Sequence, residues 1–247
     1  MFPALPSRGV AAIAAVLMSG CCEAQTPPRA GDFRPQRERM VREQLMRAGH
    51  NIQNQRVLEA MRSVPRHEFV PKEMRAQAYA DEPLPIGHGQ TISQPYIVAF
   101  MTEAINPQPG ERILEIGTGS GYQAAVLAAM GAQVFSIEIV KPLGEKAGKD
   151  LRRLGYDQVK VRIGDGYAGW PEEAPFDAVI VTCAPENIPQ PLIDQLKTGG
   201  RMIIPVGEEG GRQELYLLKK TADGLHKTAV LPVRFVPMTG KAQKGGD

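Results

Sequence analysis

The chain is 247 residues long, enough to bury one large core and within the range of one or two domains. Its 29 basic and 27 acidic residues leave a formal net charge of +2, which does not favour a nucleic acid as a partner. The 3 cysteines provide no disulfide framework, and no metal-ligand spacing accompanies the 4 histidines, so we expect no metal centre.

The first 24 residues differ in composition from the rest of the chain. Arg8 precedes a mostly apolar run over residues 9–20, which is too short to span a bilayer but is typical of a signal peptide. Cys21 lies in a loose match to a lipoprotein cleavage site, and residues 22–24 could serve the ordinary signal peptidase. A disordered leader or a start codon assigned too early would also explain the composition. We therefore treat residues 1–32 as a leader without a transmembrane span, followed by a single domain over residues 33–247.

Residues 33–105 are predicted to form a helical cap and a substrate loop. Apolar side chains recur at helical spacing between Phe33 and Ala48, so the arginines of this segment are interpreted as the solvated face of a helix. Residues 78–96 are dense in proline, glycine and small polar side chains, which predicts an ordered loop. A helix is expected to follow over residues 97–105.

The end of this loop is a candidate substrate site. Gln90, Thr91 and Ser93 lie just ahead of the predicted helix, whose first amides favour anions. A serine hydroxyl at this position can donate a hydrogen bond to a bound anion. The alternative is that Ser93 only caps the helix.

The stretch from Glu111 to Gly121 predicts a buried strand, a tight turn and the start of a helix, an arrangement that brings a nucleotide-like cofactor against bare backbone. Glycines occupy the alternating positions 117, 119 and 121. A dinucleotide fold requires its third glycine one residue later, where Tyr122 stands, so a nicotinamide oxidoreductase is the weaker alternative. The even spacing favours S-adenosyl-L-methionine (SAM), a ligand without a pyrophosphate.

Acidic residues support a cofactor site at the ends of the predicted strands. Glu138 closes the apolar run over residues 133–138, where it can accept the hydroxyls of a ribose. Asp165 follows the run over residues 159–163, where an adenine amino group can donate to it. Either acid alone is also explained as a solvated side chain or a turn residue. Glu115 lies inside a strand, where a carboxylate is costly unless paired, so we expect it to support the glycine turn or the sulfonium ligand.

The predicted elements assemble into a three-layer α/β/α sandwich around a mostly parallel seven-stranded sheet with an antiparallel edge. Asp223 and Gly224 mark the turn before the last strand. A helix is expected over residues 123–130, and residues 106–247 would carry the cofactor. The strands are expected near residues 112–116, 133–138, 159–163, 178–182, 201–205, 214–219 and 229–236.

Several motifs of the chain match one known enzyme family. The similarity extends over about residues 40–239. The motifs lie at residues 64–71, 84–95, 114–128, 164–166, 174–177, 195–200, 205–207 and 234–239. These motifs resemble those of the protein-L-isoaspartate O-methyltransferase family, SAM-dependent enzymes with a Rossmann-like fold. The segment GQTISQP is more specific for this family than the glycine turn is. Cys183 departs from the family pattern, which would have alanine there.

The resemblance implies transfer of a methyl group from SAM to the free carboxylate of L-isoaspartyl residues in damaged proteins and peptides, which starts their repair. A carboxylate with a pKa of about 4 is ionised at neutral pH, so the transfer needs no general base. The alternatives are a methyltransferase for another carboxylate or small molecule and an inactive SAM-binding scaffold. We expect a monomer in the cytoplasm, where SAM is made, with the bacterial periplasm or a lipid-anchored place in the envelope as the alternative location.

The resemblance also assigns residues to the site. Ser93 is the expected catalytic residue, which orients the acceptor carboxylate, and the substrate loop includes Gln90, Thr91 and Ile92. The expected task of the protein is to hold oxygen, methyl carbon and sulfur in line. The expected cofactor-binding residues are Glu115, Gly117, Thr118, Gly119, Gly121, Glu138, Asp165, Gly166 and Thr239.

Overall fold

The computed structural model describes Met1 and residues 32–244. The chain divides into two units, Met1–Asp32 and Phe33–Asp247. The predicted signal-like leader lies outside the described residues, apart from its first and last residue. The helices and strands of the described chain belong to the second unit.

The cap begins with a helix that changes its hydrogen-bonding pattern midway. Helix α1 (Arg34–Arg39) continues as a π-helical segment, Met40–Leu45, whose residues Met40, Val41 and Leu45 are buried. This confirms the predicted helix as far as Leu45. The π-helical half was not predicted, because six residues are too few for the altered turn to change the spacing of apolar side chains. Helix α2 (Gln55–Ser63) follows.

The segment predicted as an ordered loop contains a short hairpin, whose two strands were not predicted. Strands β1 (Leu84–Gly87) and β2 (Gln90–Ile92) are antiparallel. Gly87, His88 and Gly89 at this turn have φ values of 93°, 54° and 70°. Positive φ values favour glycine, which occupies two of the three positions. Strands this short leave no clear alternation in a segment rich in proline and glycine. Helix α3 (Pro95–Ile105) then begins at a proline, close to the predicted start.

The remaining strands form one seven-stranded sheet, as predicted. Its strands are β3 (Arg112–Ile116), β4 (Gln133–Glu138), β5 (Val159–Ile163), β6 (Phe176–Val181), β7 (Leu196–Val206), β8 (Gln213–Thr221) and β9 (Gly224–Val233). In the order β5-β4-β3-β6-β7-β8-β9, the first five strands are parallel and β8 is antiparallel to both of its neighbours. The last strand was predicted too late in the chain, because its pairing with β8 starts directly at the turn, where Thr221 faces Gly224.

Both faces of the sheet are covered, which confirms the three-layer sandwich. The helices that follow β3, β4 and β6 are α4 (Tyr122–Ala129), α5 (Lys141–Arg153) and α6 (Gln190–Asp194). Alternate residues of the central strands enter two separate apolar clusters, one on each face of the sheet. Ile113 and Val134 pack in the cluster that contains the cap, α3 and α4. Leu114 and Phe135 pack in the cluster that contains Leu192 of α6. Among the described residues, none of the helices has the length and the continuous apolar surface of a membrane span.

The parallel strands bring four chain segments to one edge of the sheet. Gly117 follows β3, Glu138 ends β4, Asp165 follows β5 and Thr182 follows β6. Because the carboxyl ends of parallel strands lie at the same edge, residues far apart in the chain become neighbours there.

Candidate active site

The turn after β3 depends on glycine backbone. Gly117, Gly119 and Gly121 have φ values of 94°, 53° and 89°, in the left-handed region that favours glycine. The amide of Gly117 donates to the carbonyl of Ile137 at 2.9 Å, and the amide of Gly121 donates to the carbonyl of Thr118 at 2.8 Å. The turn is therefore fixed both to the neighbouring strand and within itself.

Thr182 packs directly against the first glycine of this turn. A Cβ atom added to Gly117 would lie 2.5 Å from Oγ1 of Thr182. That hydroxyl is within hydrogen-bonding distance of two carbonyl oxygens, 2.7 Å from Gly117 and 3.0 Å from Ile116. Glycine is thus required at position 117 for space as well as for its backbone conformation.

Glu138 joins the end of β4 to the same turn. Its buried carboxylate accepts a hydrogen bond from the amide of Gly119 at Oε2 (2.7 Å) and one from the amide of Val140 at Oε1 (2.8 Å). A carboxylate oxygen has two lone pairs, so each oxygen keeps capacity for a ligand hydroxyl.

Glu115 lies behind the turn and is fully buried. It faces Ser136 across the β3–β4 pair and accepts a hydrogen bond from the Ser136 hydroxyl, which in turn lies 2.6 Å from the hydroxyl of Thr118. Burial raises the pKa of Glu115 to about 8, and the nearby Glu138 carboxylate acts in the same direction, while the Ser136 hydrogen bond opposes them. Burial thus favours the protonated form of Glu115, and its contacts are those of a support for the glycine turn.

Asp165 makes the contacts of a turn residue. Its Oδ1 accepts from the amide of Tyr167 at 2.9 Å, and its Oδ2 accepts from the amide of Lys241 at 2.9 Å. The contact with an adenine amino group stays a prediction. The neighbouring Gly166 faces the cavity described next.

A cavity, here called the cofactor cavity, lies outside the ends of β3, β4 and β6. It brings together seven of the predicted site residues: Gln90, Thr91, Gly117, Gly119, Glu138, Gly166 and Thr239. Its wall also includes Ile137, Ile139, Thr182, Cys183, Val236 and Met238. The substrate loop and the glycine turn, which lie far apart in the sequence, thus face one another.

A second and larger cavity adjoins the first and is here called the acceptor cavity. It is lined by Ser93, Gln94, Ile97 and residues 232–236, and it shares Thr91, Thr182 and Val236 with the cofactor cavity. The N-cap residue of α3 is Gln94, whose side chain makes no capping bond, and the amide of Tyr96 in the first turn donates to Oδ1 of Asp81 at 3.2 Å. The alternative role of Ser93 as a helix cap was therefore wrong. A third, small cavity between the glycine turn and α3 is lined by Ile92, Ser93, Thr118 and Thr182 among others.

Gly121 is the one predicted glycine of the turn that faces away from the cofactor cavity. A Cβ atom there would lie 3.2 Å from the side chain of Leu151 on α5. Gly121 therefore allows the helix that follows the turn to pack closely, whereas Gly117 and Gly119 present bare backbone to the cavity.

Two wall residues were missed or left without a role by the sequence analysis. Thr182 directly follows β6, so the rule that ligands bind at strand ends would have identified it. Cys183 lines the cofactor cavity, and burial raises the pKa of its thiol to about 12, so the side chain stays uncharged and serves as an apolar wall.

Among the described residues, no group of three histidine, cysteine or acidic side chains is arranged to hold a metal ion.

The sequence profile of the protein-L-isoaspartate(D-aspartate) O-methyltransferase family matches residues 36–243. The chain belongs to this family. A protein named protein-L-isoaspartate O-methyltransferase from Gloeobacter violaceus is 58% identical over 200 residues, which cover 81% of this chain and 97% of that protein. A protein of the same name from Synechococcus sp. is 55% identical over 222 residues, which cover 87% of this chain and 90% of that protein.

A solved structure extends the similarity to the fold of the family. It is described as a putative protein-L-isoaspartate O-methyltransferase from Plasmodium falciparum in complex with S-adenosyl-L-homocysteine, and it superposes with a TM-score of 0.72 at 30% identity, covering 82% of this chain and 98% of the other. The family resemblance inferred from the motifs and the fold expected from it are both confirmed.

Proposed function

We propose that this protein methylates the free carboxylate of L-isoaspartyl residues in damaged proteins and peptides, with SAM as the methyl donor. The observation that carries the proposal is the pair of adjoining cavities, one lined by the glycine turn and Glu138 and the other by Ser93, which meet at Thr91, Thr182 and Val236. Family membership supports the same reaction. When bound, SAM supplies a methyl group attached to a sulfonium sulfur, and this sulfur leaves as a neutral thioether when the methyl group is transferred.

The residues of the cofactor cavity fit SAM. Gly117 and Gly119 allow a ligand to lie against the backbone, and the buried carboxylate of Glu138 would accept the ribose hydroxyls. Ile137 and Ile139 offer apolar surface for a flat base. Asp165, Gly166 and Thr239 are assigned to the same ligand, and Glu115, Thr118 and Gly121 to the support of the turn.

The acceptor side needs orientation rather than a base. The isoaspartyl carboxylate is ionised at neutral pH, and its oxygen is already a nucleophile. The hydroxyl of Ser93 has no hydrogen-bond partner among the described residues and lines the acceptor cavity, so it can donate to that carboxylate. Gln90, Thr91 and Ile92 hold the loop on which Ser93 sits. Alignment of this kind supplies several kcal/mol to a reaction between two bound groups.

The test compares two peptides of the same sequence, one with an isoaspartyl and one with an aspartyl residue, in the presence of radiolabelled SAM. We expect a base-labile methyl ester on the isoaspartyl peptide alone. Equal labelling of both peptides would indicate a methyltransferase with another substrate. Tight binding of SAM without any labelling would indicate an inactive scaffold, and Ser93→Ala would then change nothing in the assay.

We also propose that the enzyme works as a monomer in the cytoplasm, where its methyl donor is made. Size-exclusion chromatography with light scattering tests the first point. Mass spectrometry of the N-terminus of the protein from its own cells tests the second: cleavage before residue 25 or a lipid on Cys21 would place the enzyme in the cell envelope instead.

A further inference from the structure

Thr182 lies where the three cavities of the site meet. It lines the cofactor cavity, the acceptor cavity and the small third cavity, a property that it shares with Thr91. Thr91 belongs to the substrate loop, which the family resemblance already assigns. Thr182 comes from the opposite side, at the end of β6, and has no role in the function proposed above.

The backbone and side chain of Thr182 are both fastened to β3. Its amide donates to the carbonyl of Ile116 at 2.9 Å, and its hydroxyl lies 3.0 Å from the same carbonyl and 2.7 Å from that of Gly117. The hydroxyl proton is therefore directed at the turn, away from any ligand. This arrangement fixes the carbonyl of the first glycine, Gly117, which lines the cofactor cavity and the small third cavity.

We propose that Thr182 is a positioning residue for methyl transfer, which holds the glycine turn so that the methyl donor in one cavity faces the carboxylate in the other. The inference rests on the proposed function. Thr182 takes no part in proton transfer, since the transfer of a methyl group to an ionised carboxylate needs neither a base nor an acid. Its hydroxyl instead acts through Gly117, whose carbonyl would lose its side-chain donor without it.

The size of the expected effect follows from the geometry of the reaction. Oxygen, methyl carbon and sulfur must lie in line, and a misplacement of about 1 Å costs up to about 100-fold in rate. A carbonyl that loses its hydrogen-bond donor is free to rotate toward the cavity. The effect should therefore fall on the chemical step more than on the binding of either partner.

The experiment compares Thr182→Val, which keeps the branched shape but removes the hydroxyl, with Thr182→Ser, which keeps the hydroxyl. For Thr182→Val we expect kcat on the isoaspartyl peptide to fall about 10- to 100-fold, while the KM for peptide and the Kd for S-adenosyl-L-homocysteine change less than about threefold. Thr182→Ser should stay within about threefold of the unmodified enzyme in all three values. The matched control is Thr221→Val. Thr221 also donates to a glycine carbonyl, that of Gly224 at 3.0 Å, but it is the last residue of β8, at the hairpin turn before β9, and lines none of the three cavities.

Each outcome bears on the proposal. A normal kcat in Thr182→Val, a loss confined to cofactor affinity, or an equal loss in Thr182→Ser would overturn it. Thr182→Ala, with its fold checked by thermal melting, replaces the valine variant if that variant does not fold. If the unmodified enzyme fails to label the isoaspartyl peptide, the proposed function falls and this inference with it, whereas the other negative results remove the inference alone.

Discussion

Glu138 and Gly119 connect the ends of two neighbouring strands: the amide of Gly119 donates to Oε2 of Glu138 at 2.7 Å. The other carboxylate oxygen accepts from the amide of Val140, directly before α5. One buried side chain therefore shapes both the glycine turn and the start of the next helix. The residue expected to bind the ribose is also part of the frame of the site.

Glu138→Gln should weaken cofactor binding and lower stability together. An amide group offers one acceptor oxygen, so its NH₂ would face one of the two backbone donors that the carboxylate now satisfies. We expect the affinity for S-adenosyl-L-homocysteine to fall at least about tenfold, and the free energy of unfolding to fall by about 1–3 kcal/mol. Calorimetric titration and urea unfolding measure the two effects. Glu145→Gln, on the exposed side of α5, serves as the control, and an unchanged affinity in Glu138→Gln would speak against the assignment.

Ser93→Ala should lower turnover without disturbing the fold. Its hydroxyl bonds no described residue, so its removal breaks no internal contact. A hydrogen bond to a charged carboxylate contributes about 1.5–3 kcal/mol, which corresponds to a fall in kcat/KM of about 10- to 160-fold. Steady-state kinetics with the isoaspartyl peptide measure this loss, while Tm and cofactor affinity should match the unmodified protein. Ser63→Ala, at the end of α2, is the control, and full activity in Ser93→Ala would refute the role.

Glu115→Gln should change how stability depends on pH. The folded protein raises the pKa of Glu115 to about 8 from an ordinary value of 4.5, so the folded state keeps a proton that the unfolded state releases. The contribution of neutral Glu115 to the free energy of unfolding is fully present below about pH 4.5 and is lost as the pH rises to about 8. A glutamine has no proton to lose, so its unfolding free energy should fall less than that of the unmodified protein between about pH 5 and pH 8. The expected difference between the two falls is a few kcal/mol, since each pKa unit corresponds to about 1.4 kcal/mol. Urea unfolding at several pH values tests this, and parallel pH profiles would contradict it.

Arg66 should matter for packing more than for its charge. Its side chain is fully buried, and its Nε donates to the carbonyl of Ala78 at 2.7 Å. Its Cζ lies 4.9 Å from the ring centre of Tyr122, and burial lowers the pKa of the guanidinium to about 10. Neither terminal nitrogen bonds another described residue. Arg66→Ala should cost about 3–5 kcal/mol of unfolding free energy through the cavity it leaves, whereas Arg66→Met fills the space, removes a buried charge and should cost much less. Equal losses in denaturant unfolding would show that the charge itself is required.

The sequence alone determined the local elements of this protein. The strands over residues 112–116, 133–138 and 159–163 are predicted to the residue, because short apolar runs bounded by turn residues can adopt few other structures. The spacing of Gly117 and Gly119 likewise predicts bare backbone, since positive φ angles leave little choice of residue.

Only the tertiary structure decided which side chains meet. Glu115 and Glu138 are both strand acids, yet one is turned behind the glycine turn and the other faces the cofactor cavity, because each strand alternates its faces and the packing of the layers selects between them. Asp165 bonds the amide of Lys241, and Thr182 packs on Gly117, across long stretches of chain. Such contacts leave no pattern in the sequence, because they depend on which distant segments the order of strands in the sheet and the path of the last residues bring together.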